Sequence, residues 1–125
     1  MIKLYPKEKI YMNKLNFILK KDNNIIINEN DIKCINQNNK LIFKLDGIKY
    51  IFNNNILTKE TDNELIELDF NKEQCNIFLK EYNNNLLVNM SLLNIENKEN
   101  FIEIKYKIET EENCINIIRM EYIKK

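Results

Sequence analysis

The sequence predicts an all-β fold: one antiparallel meander of short strands closing into a small barrel of about eight strands, with one short helix fitting near the N-terminus. Three observations lead there. Polar clusters rich in asparagine recur along the chain, most of them about 8 to 15 residues apart, which is the spacing of turns in a β meander. Between the clusters, apolar residues alternate with polar ones at period two. Isoleucine dominates the apolar set, while alanine is absent. Isoleucine is stiff at χ1 and suits strands. Closing the meander would remove its exposed edges.

The elements follow in order. Residues 6–22 read two ways. As a helix, Pro6 takes the first position and Tyr11, Leu15, Ile18 and Leu19 share a face. As a strand, Leu15, Phe17 and Leu19 alternate with Asn16, Ile18 and Lys20. The strand reading is preferred, because a meander gains most by pairing its first strand with its last. Residues 41–52 contain the only glycine, Gly47, directly after Asp46. Asp-Gly between two alternating apolar runs is the signal of a two-residue type I′ hairpin. Phe43 and Leu45 on one side then face Ile48 and Tyr50 on the other. Ile66, Leu68 and Phe70 alternate with Leu65, Glu67 and Asp69. Leu86, Val88, Met90 and Leu92 share a face, as do Ile102, Ile104, Tyr106 and Ile108. The last strand, within residues 114–123, puts Ile118, Met120 and Tyr122 together and Arg119 outside, opposite an acid such as Glu103. Asparagine tolerates positive φ better than any residue but glycine, so the Asn runs take the turns. Their abundance fits an AT-rich genome.

The stretch from Ile25 to Lys124 resembles the YwiB-like bacterial domain of unknown function, a calycin-like (lipocalin-like) β-barrel. Three segments carry the likeness: IKCINQNNKLIFKL, NNNLLVNMSLLNI and ENFIEIKYKIETEENCINIIRMEYIKK. Where that family tends to carry glycine before the strand matching Leu86–Leu92, this chain has Asn83-Asn84-Asn85. The likeness implies a fold; the family's function being unknown, it assigns no site residue.

The chemistry read from composition is mostly exclusion. The chain has no histidine, one serine (Ser91) and one arginine (Arg119), so neither a Ser–His nor a Cys–His catalytic pair is available. Cys34, Cys75 and Cys114 lie too far apart for a zinc knuckle and read as buried free thiols of a reducing compartment. The formal net charge is zero, which disfavours a nucleic-acid partner. No apolar run reaches membrane length and no signal-peptide pattern opens the chain, so a cytoplasmic protein without membrane contact is expected. No catalytic, metal-binding or cofactor-binding residue is predicted. The aromatic residues Tyr50, Phe52, Phe78, Tyr106 and Tyr122 fall on or near expected core faces. The interior candidates, which would line a ligand cavity if one exists, are Phe43, Tyr50, Phe52, Met90, Tyr106 and Met120. The function expected first is a non-enzymatic binding module for a small molecule or peptide. A protein-interaction module using a sheet edge or an apolar face such as Ile51, Leu87 and Leu93 is second. An enzyme built on a carboxylate pair, such as Glu67 with Asp69 or Glu103 with Glu109, is third.

Overall fold

The computed structural model describes residues 11–111 and 113–123. Its ten strands are β1 (Tyr11–Lys21), β2 (Asn24–Gln37), β3 (Lys40–Leu45), β4 (Ile48–Asn53), β5 (Ile56–Glu60), β6 (Glu64–Asp69), β7 (Gln74–Leu79), β8 (Asn84–Asn97), β9 (Phe101–Ile108) and β10 (Asn116–Ile123). Each pairs antiparallel with its sequence neighbours, and β1 closes the barrel on β10 from Lys14↔Ile123 to Lys21↔Asn116.

Two expectations are corrected. The helix alternative fails: residues 11–21 are β1, and the described residues contain no helix. Residues 6–10 of that stretch lie outside the described residues. Pairing on both sides, with β2 and with β10, satisfies the backbone of β1 and buries Leu15 and Phe17, which outweighs a weak helical pattern. The strand count is also ten rather than about eight. The strands that alternation did not single out are β2 (Asn24–Gln37), β5, reading ILTKE, and β7, reading QCNIFL. β5 and β7 are short, and β5 breaks the apolar alternation with a lysine on its inner side.

The turns work as the composition implies. Among described residues other than glycine, positive φ occurs at Asn38, Asn39, Asn54, Asn55, Asn83 and Asn113, at Asp22, Asp31 and Asp46, and at Glu73. Asparagine and aspartate thus take nearly all the left-handed positions. Asp31 sits where β2 bulges against β1, and its N–H donates to Asn16 Oδ1 at 3.0 Å. Glu73 occurs where β8 leaves β7 for β9. Its carbonyl accepts from Met90 N–H at 2.9 Å and its carboxylate from Leu92 N–H at 2.9 Å. Asp69 Oδ1 accepts from the N–H groups of Asn71 and Lys72, capping the β6–β7 turn.

The hairpin of β3 and β4 has the register expected of it, with Phe43↔Tyr50 and Leu45↔Ile48. Phe43 and Tyr50 stack with centroids 4.9 Å apart, and Phe17 leans on both at 5.5 and 5.4 Å. This aromatic plug fills the middle of the barrel. Phe43, Tyr50, Phe52, Met90, Tyr106 and Met120 are all buried in the core. Phe78 behaves differently: it pairs with Leu65 on the outward side of β6–β7 and is half-buried. Arg119 pairs directly with Glu103 across β10–β9, 2.9 Å apart, and lies over the Phe101 ring.

Asp46 has φ 51 and Gly47 φ 77, and a Cβ placed on Gly47 would meet nothing within 4 Å. Backbone strain alone therefore decides substitution there. Gly47→Val is expected to destabilise by about 1–3 kcal/mol, and Gly47→Asn by clearly less. Urea denaturation of both variants checks the order; equal mildness would place the residue outside a type I′ turn.

Cys34 is buried, and its Sγ–H donates to the Asn13 carbonyl at 3.2 Å. Burial pushes the thiol from 9.0 up to about 11. The folded pKa is raised, so the stabilisation is complete below about pH 9, where both states keep the proton. It is lost as the unfolded thiol ionises between 9 and 11. The loss amounts to about 2–3 kcal/mol from this thiol. Denaturation against pH should show a shallower alkaline decline in Cys34→Ala than in the wild type; equal declines would contradict a buried neutral thiol.

Candidate functional site

The plug leaves space at both ends of the barrel. One end carries the β1–β2, β3–β4, β5–β6, β7–β8 and β9–β10 connections, and the alternation of an antiparallel meander puts the other connections at the opposite end. At that opposite end a cup of about 400 Å³ has a floor of Leu41, Phe52, Ile102 and Tyr122 under asparagines including Asn36, Asn39, Asn54 and Asn97, all four exposed. Exposed amides can bond to solvent, so this cup places no demand on a ligand.

The first end differs. A chamber of about 210 Å³ lies inside the strands, with apolar walls that include Leu19, Ile66, Leu68, Ile77 and Ile108. Polar groups converge on it from five elements: Lys21 of β1, Lys59 of β5, Cys75 of β7, Tyr106 of β9 and Asn116 of β10. Glu111, in the β9–β10 connection, closes over them. The reason is positional. Lys21, Lys59 and Asn116 each continue the inner face of their strand one step past its last apolar residue, so the pleat turns them inward. Leu15, Phe17 and Leu19 precede Lys21; Leu57 precedes Lys59; Ile118 and Met120 follow Asn116.

The rim above the chamber is tied. Lys21 Nζ reaches both Glu111 carboxylate oxygens at 3.1 and 3.0 Å. Asp22 N–H donates to the Ile115 carbonyl at 2.7 Å, and Ile115 N–H returns to Asp22 Oδ1 at 3.0 Å. Lys21 is thereby neutralised. Lys59 is not: among the described residues it makes no ion pair, and its Nζ stands 5.6 Å from the centroid of the Tyr50 ring. Burial lowers the Lys59 pKa, and the charge of Lys21 lowers it further, against opposing pulls from Cys75 and Glu64. Burial first, and then the Cys75 thiol, Glu111 and the Cys114 thiol, raise the Tyr106 hydroxyl.

Asn116 is 1 % exposed, and its Nδ2 is the buried side-chain atom without a hydrogen-bond partner among the described residues. A buried amide donor left unmade costs about 1–3 kcal/mol. Together, an ammonium without an ion pair and an unused amide N–H give the chamber two donors without partners.

No family model, curated protein or solved structure matches this chain. The site is therefore read from its own residues. Of the six interior candidates, only Tyr106 lines this chamber; Phe52 lines the asparagine-rimmed cup, Phe43 and Tyr50 form the plug, and Met90 and Met120 pack in the core. Lys59 and Asn116 were missed by apolar alternation, because it scores a polar residue on an inner face as the end of a strand. The available signal was that same violation: a polar residue at the next inward position of three separate strands. The carboxylates do not gather. Glu67 is exposed while Asp69 caps its turn, and Glu103 is committed to Arg119. No group of three acidic or cysteine side chains suited to a metal occurs among the described residues.

Replacing Asn116 by leucine, of similar size, removes the unmet donor. Asn116→Leu is expected to raise ligand-free stability by about 1 kcal/mol. Urea denaturation measures it; a loss of stability would mean that the amide has an acceptor within the protein.

Proposed function

We propose that the protein is a non-enzymatic, calycin-like binding barrel that holds a small molecule in the chamber at its lysine-bearing end. The observation that carries this reading is the buried, unpartnered Nδ2 of Asn116 lining a half-open recess with apolar walls. Such a donor is costly without a ligand and useful with one. The reading includes a reducing, cytoplasmic setting without nucleic-acid or membrane partners. The free state of the three cysteines supports the redox part of it.

A peptide is the less suited ligand, because the chamber of about 210 Å³ is too small for one. Backbone that a peptide could extend lies elsewhere: residues 24–33 of β2 pair with β1 and not with β3, and β8 pairs with β7 over 84–89 and with β9 over 90–97. Docking of a protein partner is the alternative, and it draws support from exposed apolar residues at the chamber's end: Ile25, Ile26, Tyr82, Leu86 and Leu87. The trio Ile51, Leu87 and Leu93 does not make such a face, because β5, β6 and β7 separate β4 from β8.

The test is an NMR titration of the labelled protein with a set of small amphiphilic fragments. Saturable shifts confined to β5, β6, β7 and β10 around the chamber are expected, and Ile77→Trp, which narrows it, should abolish them. Shifts restricted to the outer surface, or unaffected by Ile77→Trp, would overturn the reading.

A further inference from the structure

The chamber's polar groups define the ligand's chemistry, and this inference rests on the binding-barrel reading above. The groups divide sharply by sign. Glu111, an acceptor, is already taken at both oxygens by Lys21. Of the groups left over, the Tyr106 hydroxyl and the Cys75 thiol can donate or accept, while Lys59 Nζ and Asn116 Nδ2 only donate, and these two reach the space from opposite parts of the wall: β5 and β10. A ligand that satisfies both must bring acceptors, and one that neutralises Lys59 must bring negative charge. A cationic ligand would meet the Lys59 charge with no ion-pair partner to offset it, and a neutral apolar one would leave both donors unmet.

Size and shape narrow the class. At water's liquid share of about 30 Å³ per molecule, a chamber of 210 Å³ holds about seven non-hydrogen atoms. A planar carboxylate offers two acceptor oxygens and uses three atoms; the remainder is a short alkyl chain against Ile66, Leu68 and Ile77. A fully hydrated polyanion such as phosphate would leave those apolar walls unused.

We propose that the chamber is a receptor site for a short-chain monocarboxylate, its carboxylate held between the Lys59 ammonium and the Asn116 amide, its alkyl tail against the β6–β7 wall. No covalent step is involved: the acid is bound and released as its anion. The Lys59 ammonium gains the counter-ion that the fold withholds from it. Glu64 of β6, which lies near enough to attract Lys59 but forms no ion pair with it, is the internal competitor that the ligand displaces electrostatically.

The probes are pentanoate, pentan-1-ol, pentylamine, acetate and inorganic phosphate, titrated into the full chain at constant pH and ionic strength and followed by NMR shifts of the chamber residues. Pentanoate is expected to bind more tightly than the alcohol or the amine, showing the need for charge, and more tightly than acetate or phosphate, showing the need for a tail. Lys59→Met should weaken pentanoate by about tenfold or more, the cost of losing a charge-assisted hydrogen bond, and leave pentan-1-ol unchanged. Lys59→Arg should restore much of the loss, which separates a charge role from a packing role. Saturable binding of the alcohol or amine at least as tight as that of pentanoate would overturn the carboxylate class while leaving the binding barrel standing. Pentanoate binding unaffected by Lys59→Met would overturn the assignment of Lys59. Binding of none of the five probes would remove both the ligand class and the small-molecule reading.

Discussion

Ten strands closed through β1 and β10 enclose more width than the residues on their inner faces can fill. An eight-stranded barrel is just wide enough for side chains to pack solid, and each added strand widens it. The short strands β5 and β7 both border the unfilled space: β5 through Lys59, β7 through Cys75 and Ile77. The aromatic plug of Phe17, Phe43 and Tyr50 spans the middle, so the surplus volume is pushed to the ends. Everything proposed about binding depends on that closure. Opening β1 from β10 would expose the core face of both strands and dissolve the chamber's wall at Leu19, Lys21 and Asn116.

Closure has a second consequence, at the turns. A meander of ten antiparallel strands needs nine connections, most of them tight, and this chain has one glycine for them. Asparagine and aspartate supply the positive φ angles instead, through side chains short enough to tolerate the left-handed region. Glu73 is the outlier, a longer residue held there by the two hydrogen bonds that bridge the change of partner in β8. Local strain at that point is offset by continuous pairing on either side of it.

Much of the fold was legible because the forces behind it are periodic. Alternation on β1, β3, β4, β9 and β10 placed Leu15, Phe43, Tyr50, Ile104 and Met120 inward, and Asp46-Gly47 set the hairpin register. Three strands escaped: β2, whose first half is exposed and bulges at Asp31, and β5 and β7, whose inner faces are not uniformly apolar, since β5 carries Lys59 and β7 puts Phe78 outward and Cys75 inward. The site escaped for the same reason. A polar residue facing a chamber and a polar residue ending a strand look alike along the chain; only closure, which brings β1, β5 and β10 to one end, tells them apart. Arg119 opposite Glu103 was readable because a cross-strand ion pair needs only adjacent strands and a register.

The most direct measurement of the central claim is a crystal structure of the ligand-free protein at a resolution that shows ordered water. The result consistent with a ten-stranded barrel enclosing an unfilled chamber is density between Lys59, Tyr106 and Asn116, from water or a captured molecule, with Asn116 Nδ2 donating to it. Side chains packed into that space, with the Asn116 amide bonded to an acceptor within the protein, would contradict it.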